Sequence, residues 1–306
     1  MSRKLICVAG PTASGKTSFA VELAKRINGE IISADSMQVY KYMDIGTAKP
    51  TIAEMQGIKH YLIDEISPFE SFSVNEFVKR AKEYIEKIYG KGKIPIVAGG
   101  TGLFISSLVD NVKFSKTETD EALRGSLKNL AEEKGNFYLH GMLEKIDPES
   151  AQRIHPNNVK RVIRAIEIFE TTGKTMSEHI KISKTEPSPY ELSYFALVGP
   201  RELLYDRINR RVDIMMREGL IEEVRKLKEM GLTKEHNSMQ GIGYKETLSF
   251  LDGEISEGEL SKTIKQESRR YAKRQLTWFK RDERIKWADI SIYNTNEKLM
   301  ECFYDG

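Results

Sequence analysis

The sequence predicts an α/β fold, a parallel sheet wrapped by helices and interrupted by an all-helical insertion. Three observations point to it. Short apolar runs alternate with helical patterns through the first third of the chain, a glycine-rich turn joins the first run to the first helix, and a charged, helix-favouring stretch precedes a further apolar run. The 306 residues, 40% of them hydrophobic, suffice for a sizeable core in two structural units.

The elements follow in order. Residues 5–9 form a continuous apolar strand, and 15–27 place Phe19, Leu23 and Ile27 at helical spacing before stopping at Asn28-Gly29. Further strands are predicted at 31–32, 61–66 and 94–98, with Phe77, Ala81, Tyr84, Ile85 and Ile88 marking a crossover helix before the last of them. From about residue 112 to 189 the pattern is charged and helical, broken by turns such as Asp147-Pro148 and Gly173-Lys174. This predicts an insertion over 114–190 within a discontinuous core made of 1–113 and 191–306. Residues 194–198 return to the sheet, followed by helical stretches at 202–216 and 220–230 and a basic amphipathic segment from 259 to about 279.

Composition excludes several classes. Cys7 and Cys302, the only cysteines, lie at opposite ends of the chain, so there is no disulfide framework and no Cys-rich zinc cluster. No apolar run reaches the length of about 18 residues that spans a bilayer, and Met1 to Lys4 lead straight into a strand instead of a signal peptide. The expectation is a soluble, cytoplasmic protein without a membrane partner. The net charge of +3 hides an asymmetry: residues 262–286 carry ten Lys or Arg against three acidic residues, a balance of +7 that leaves −4 for the rest. A cationic face of this kind suits a polyanion.

The stretch from Gly10 to Thr17 reads GPTASGKT and fits G-x-x-x-x-G-K-[ST] between a predicted strand and a predicted helix, which makes the core P-loop NTPase-like. Gly10, Thr12, Ala13, Ser14, Gly15, Lys16 and Thr17 are therefore the expected phosphate-binding residues. Backbone N–H groups face the anion, Lys16 adds a point charge, and Thr17 is the expected Mg²⁺ ligand. The loop does not name its ligand. Asp64, after Leu62-Ile63, reads either as a second Mg²⁺ carboxylate or as a solvated strand-end residue.

The second strand runs into Asp35-Ser36-Met37-Gln38, and strand C-termini surround the ligand crevice of an open α/β sheet. A carboxylate there can hold Mg²⁺, act as a general base or cap a helix. Gly99-Gly100-Thr101-Gly102 puts a hydroxyl on the same rim, or simply makes a tight turn. Arg217, near a helix end terminated by Gly219, is in position to interact with the helix dipole, and Met215 and Met216 read as core filling.

Taken together, GPTASGKT (10–17), SADSMQVYKYMDIGTAKP (33–50), HYLIDE (60–65), GGTGLF (99–104), RIHPNNVKRVIRAIE (153–167), QGIGYKE (240–246) and YAKRQLTWFKR (271–281) closely resemble the bacterial tRNA dimethylallyltransferase, or tRNA isopentenyltransferase, family. The resemblance covers most of the chain. It implies transfer of a dimethylallyl group from dimethylallyl diphosphate to the exocyclic amine of adenosine 37 in the anticodon loop of tRNA, by a monomer. Asp35 would be the base, and Thr101 and Arg217, with Lys16 and Mg²⁺, would stabilise the pyrophosphate. Asp35, Ser36, Met37 and Gln38 would touch the base, Gln38 through the paired donor and acceptor of its amide. Val159, Lys160, Arg161, Val162, Ile163 and Arg164, together with Gln240, Arg269, Arg270, Lys273 and Arg274, would hold the rest of the anticodon stem-loop.

Tyr61, Phe104 and Gly241 depart from the family's usual His, Tyr and Ala, which concerns packing more than chemistry. The Cys and His spacing of the C-terminal zinc finger seen in eukaryotic relatives is absent. Competing readings are an adenylate isopentenyltransferase, a P-loop nucleoside kinase, and a non-catalytic RNA-binding protein with a vestigial phosphate loop.

Overall fold

The computed structural model describes residues 3–114, 120–183 and 186–304. The chain begins with β1 (Lys4–Ala9), α1 (Lys16–Ile27), β2 (Gly29–Ser33), α2 (Ile52–Met55), β3 (His60–Tyr61), α3 (Val74–Gly90), β4 (Ile94–Gly99) and α4 (Gly102–Val109). Five helices follow: α5 (Glu121–Lys134), α6 (Asn136–Ile146), α7 (Pro148–Arg153), α8 (Val159–Thr172) and α9 (Met176–Ser183). The chain closes with β5 (Glu191–Val198), α10 (Arg201–Glu218), α11 (Leu220–Glu229), a 3₁₀ turn at Asn237–Gln240, α12 (Tyr244–Leu251), α13 (Glu257–Phe279), β6 (Lys286–Asp289) and α14 (Asn296–Tyr304).

Two compact units result, one of Met1–Val109 with Pro189–Gly306 and one of Asp110–Ser188. In the first, six parallel strands lie in the order β3-β2-β4-β1-β5-β6. Parallel pairing turns all strand ends the same way, so the segments after β1, β2 and β4 gather at one edge. Side chains of β1 alternate between two buried faces. Ile6 and Val8 pack with Phe19 and Leu23 of α1 and with Phe195 and Leu197 of β5, where the Phe19 and Phe195 rings stack at 5.3 Å. Phe104 is buried with its ring stacked on Phe77 at 4.4 Å, which explains why a tyrosine hydroxyl is dispensable at that position.

The second unit is helical. Leu127, Leu139, Leu143, Val162 and Ile166 form its core around Glu167, which is fully buried and neutralised by Arg124 at 2.9 Å and Arg164 at 2.6 Å. Val162 and Ile163 are thus core residues, Val159 packs against that core, and Arg164 pairs with Glu167. Only Lys160 and Arg161 of that run are exposed.

Two sequence expectations change. The strand expected at 61–66 stops at Tyr61 because Leu62 (φ 60°) and Asp64 (φ 55°) adopt left-handed backbone. Asp64 forms an ion pair with Lys49 instead of ending a strand at the ligand crevice. The basic helix ends at Phe279, and residues 286–289 add β6 at the sheet edge beside β5.

At the opposite end of β2, Glu30 has 4% of its side chain exposed and accepts from Lys91 (2.9 Å), Lys93 (2.9 Å) and the hydroxyl of Tyr61 (2.7 Å). Tyr61 therefore replaces the family's His with a packing and capping role. Burial alone would push the Glu30 carboxyl up, but bonds from Lys91, Lys93 and Tyr61 outweigh it and hold the group at about 2. Since this value lies below the ordinary 4.5, the stabilisation is complete above pH 4.5 and is lost as pH falls through 2. Glu30→Gln is expected to cost roughly 3 kcal/mol at neutral pH and to flatten the acid dependence in that window, as read by urea unfolding at stepped pH.

Candidate active site

The phosphate loop starts where β1 runs out. Gly10 (φ 141°) passes so close to β5 that a Cβ would lie 2.6 Å from the Leu197 carbonyl oxygen, and Gly15 (φ 90°) opens α1. Ala13 takes φ 62°, and the Ser14 hydroxyl is buried without a protein partner. Lys16 Nζ donates to the Pro11 carbonyl at 2.7 Å. Although the residue as a whole is only half-buried, its ammonium is withdrawn into the loop. Burial pushes it down to about 7, the Arg211 charge pushes the same way, and Asp35 opposes. A bound polyanion reverses that balance and keeps Lys16 charged.

Two clefts meet over this loop. The first is lined by Thr12, Lys16, Thr17, Gly99, Gly100 and Gln275 on its polar side, and by Ala20, Ile31, Ile63 and Ala98 on its apolar side. His60 also lines it, as a buried imidazole whose Nδ1 pairs with the Ile58 carbonyl at 2.9 Å and whose pKa is lowered by burial. The second is more apolar, with Met37, Ile208, Val212, Met215, Ile242 and Tyr244 in its wall and Gln240 and Arg274 at polar points. Thr12, Asp35, Thr47, Ala48, Arg211 and Tyr271 line both.

Asp35 is held by its own turn. Its Oδ1 accepts from Met37 N at 2.9 Å and Gln38 N at 3.3 Å, while Oδ2 takes no bond from a described residue. Cap and reactive group are therefore compatible in one carboxylate. Gln38 is engaged in the protein: its Nε2 donates to the Thr47 and Ala48 carbonyls at 3.3 and 3.2 Å, and its Oε1 accepts from Ser33 Oγ at 3.1 Å. The amide expected to touch the base lines the first cleft and also secures the 47–48 loop. Thr101 Oγ1 accepts from Ser36 N at 3.2 Å, so Thr101 supports the Asp35 turn and lines neither cleft.

Arg217 is also displaced from its expected place. It is exposed, with Nε donating to the Asp213 carbonyl at 3.3 Å, and it lines neither cleft. Arg211, missed in the sequence reading, is the arginine at the loop, its Nη1 3.5 Å from Thr12 Oγ1. Met215 lines the second cleft instead of filling the core.

Two further residues, Glu223 and Gln275, went unread, and Tyr271 was expected only as one of the aromatics interleaved with the basic residues of 262–286. Glu223 of α11 accepts from Asp44 N (2.9 Å), Ile45 N (2.8 Å), Gly46 N (3.2 Å) and the Tyr244 hydroxyl (2.7 Å), clamping the loop that presents Thr47 and Ala48. Tyr271 of α13 faces both clefts; burial and then Asp35 push its hydroxyl up to about 12, so it stays protonated. Gln275, one turn on, is 5% exposed and bonds to two loops of the site. A lone glutamate, tyrosine or glutamine on a charged helix carries no sequence signal of its own.

The outer side of α13 is basic. Arg270, Lys273 and Arg274 are exposed, whereas Arg269 is half-buried and bonded to Asn209 at 2.6 Å. Trp278 packs against Gly102, where a Cβ would lie 2.3 Å from Cδ1 of the indole, and Phe279 is buried. Gly241, where the family pattern has alanine, leaves space for Met37 Cε, 2.6 Å from where a Cβ would stand.

Comparison with known proteins covers most of the chain. The model of the IPP transferase family matches residues 38–282. The chain is 54% identical over 297 residues to the tRNA dimethylallyltransferase of Acetivibrio thermocellus, spanning 97% of this chain and 95% of that protein. It is 53% identical to that of Carboxydothermus hydrogenoformans, spanning 98% and 97%. Among solved structures, the tRNA isopentenylpyrophosphate transferase of Bacillus halodurans superposes with a TM-score of 0.72 at 44% identity, covering 99% of this chain and 98% of that one. A eukaryotic dimethylallyltransferase captured acting on tRNA gives 0.82 at 31% identity, covering 98% and 78%. The strand-end carboxylate, the phosphate loop and the basic helix thus lie within a likeness that runs the length of the chain, and the chain belongs to the IPP transferase family.

Proposed function

We propose that this chain transfers a dimethylallyl group from dimethylallyl diphosphate to the exocyclic amine of adenosine 37 in tRNA, releasing pyrophosphate, in the cytoplasm. The observation that carries the reading is the meeting of a phosphate-loop cleft and an apolar cleft at one carboxylate, Asp35. A displacement needs that arrangement. The donor's diphosphate occupies the loop with its first carbon toward Asp35, and the acceptor base enters from the second cleft after leaving its stack.

The amine nitrogen bonds to the first prenyl carbon as that carbon's bond to the diphosphate oxygen breaks. The amine proton passes to Asp35, and pyrophosphate leaves with the electron pair. Lys16, the loop N–H groups and Arg211 face the charge that develops on the leaving group. For Mg²⁺, no group of three or more acidic, His or Cys side chains able to hold a metal occurs among the described residues. Thr17 lines the donor cleft and offers a single hydroxyl, which fits an ion shared with the diphosphate instead of one caged by protein. Thr17 would hold it, and the ion would supply charge neutralisation at the diphosphate.

The deciding experiment gives labelled dimethylallyl diphosphate and Mg²⁺ to the protein with unmodified anticodon stem-loop RNA or with AMP. Label in the RNA supports the reading, and label in AMP alone overturns it in favour of nucleotide prenylation. Arg270, Lys273, Arg274, Lys160 and Arg161 are the proposed phosphate contacts. Neutralising Arg270, Lys273 and Arg274 together is expected to weaken RNA binding and to lower the slope of log affinity against log salt by roughly 2. Arg269→Gln is expected to leave the slope unchanged, because that side chain faces Asn209 and Tyr205.

A further inference from the structure

The phosphate loop and the Gly99–Gly100 segment continue two neighbouring strands whose ladder stops at the Ala9–Gly99 pair. Beyond it no backbone hydrogen bond joins the two loops among the described residues. Gln275 spans that gap. Its Oε1 accepts the Thr12 N–H at 2.8 Å, and its Nε2 donates to the Gly100 carbonyl at 2.9 Å. One side-chain amide thereby does what a peptide group does in a ladder, with its acceptor toward one loop and its donor toward the other.

The fit around it is close. Glycine at position 100 leaves room for the amide, since a Cβ would lie 2.3 Å from Gln275 Nε2 and displace it. Tyr271, one turn earlier, lines the same cleft, and Arg274 stands over the Tyr271 ring at 5.7 Å. Glutamine is rarely this buried unless every polar atom has a partner, and here each end has one.

We propose that Gln275 is a positioning residue for prenyl transfer, a substitute ladder rung that fixes the spacing between the phosphate loop and the β4 loop. It acts through Thr12 and Gly100, both of which line the donor cleft, and not by touching the reacting atoms. The proposal rests on the prenyl-transfer reading. It locates preorganisation of the diphosphate site in the inner side of the helix whose outer side carries Arg270, Lys273 and Arg274.

The geometry makes a distinctive test possible. In Gln275→Glu the carboxylate still accepts from Thr12 but opposes the Gly100 carbonyl, whereas the protonated acid restores both bonds. The ratio of variant to wild-type kcat/KM for dimethylallyl diphosphate is measured from pH 5.5 to 8.5. Asp35, Lys16, His60, Arg211 and Tyr271, the titratable groups lining the same cleft, are present in both proteins, so the ratio reports the change at position 275 and its effect on them. The expected ratio is about one-fiftieth at the alkaline end, recovering to within about threefold at the acid end. A ratio that does not vary with pH overturns the proposal.

Gln275→Met, which fills the space without either bond, provides the second measurement. Its affinity for inorganic pyrophosphate is expected to fall about tenfold at unchanged affinity for the stem-loop RNA. Equal losses for both ligands, or no loss for pyrophosphate, overturn the proposal. The pyrophosphate measurement does not depend on turnover, so failure of the wild type to prenylate RNA would remove the functional reading while leaving the rung still open to test.

Discussion

Replacing Asp35 by asparagine is expected to lower the turnover of prenyl transfer by about 10³-fold while leaving the affinity for dimethylallyl diphosphate within a few fold. The choice of asparagine follows from the division of labour within the carboxylate. Oδ1 accepts the Met37 and Gln38 N–H groups and holds the turn after β2, and an asparagine oxygen keeps those bonds. What asparagine cannot do is take a proton. An exocyclic amine is a weak nucleophile, and the nitrogen becomes strongly acidic as its bond to carbon forms, so the lost acceptor is felt in the transition state and not in the bound ground state. The effect should accordingly appear in kcat. Asp35→Ala removes the turn as well as the base, and it should match asparagine in turnover while also weakening donor binding. The two are separated by steady-state kinetics at saturating RNA alongside calorimetric titration with the diphosphate. Normal turnover in the asparagine variant would remove Asp35 as the base.

How much of this site could be read from the chain depends on whether a residue's role is local. The phosphate loop was legible because its function lies in consecutive backbone groups, and Asp35 because strand C-termini converge in any parallel sheet. The helical insertion and the return at residues 194–198 were legible from periodicity alone. Asp64 was misplaced because left-handed backbone at Leu62 and Asp64 ends the strand early, and a Leu or Asp in a short apolar run gives no warning of it. The strand over residues 286–289 was missed because it is short, half charged and at the edge, where alternation is weak. Gln275 and Glu223 belong to a different class: each acts on backbone groups more than 170 residues away in sequence, and such contacts have no period to detect. The same is true of the bonds that engage Gln38, two of which go to carbonyls nine and ten residues on.

Arg211→Ala is expected to lower kcat/KM for the donor by about 10²-fold, and Arg217→Ala to change it by less than twofold. Both arginines lie on α10, and helix geometry decides between them. Six residues on a helix amount to roughly 240° of rotation, so the two side chains cannot face one cleft. Ile208, Arg211, Val212 and Met215 follow the i, i+3, i+4, i+7 pattern of a single stripe, and all four line the second cleft. Arg217 leaves that stripe and bonds to its own helix at Asp213. The position of Arg211 beside Thr12 also makes it one of the charges that depress Lys16, so the two basic groups repel one another at the loop. Their mutual repulsion is relieved only when a diphosphate lies between them, and it is relieved most when the leaving group bears its full charge. Arg211→Lys keeps the charge but loses the planar fork that can bind two oxygens, so it should recover only part of the loss. Donor kinetics for the three variants at fixed RNA would settle the assignment, and equal defects at 211 and 217 would mean that α10 rotates from the orientation seen here when substrate binds.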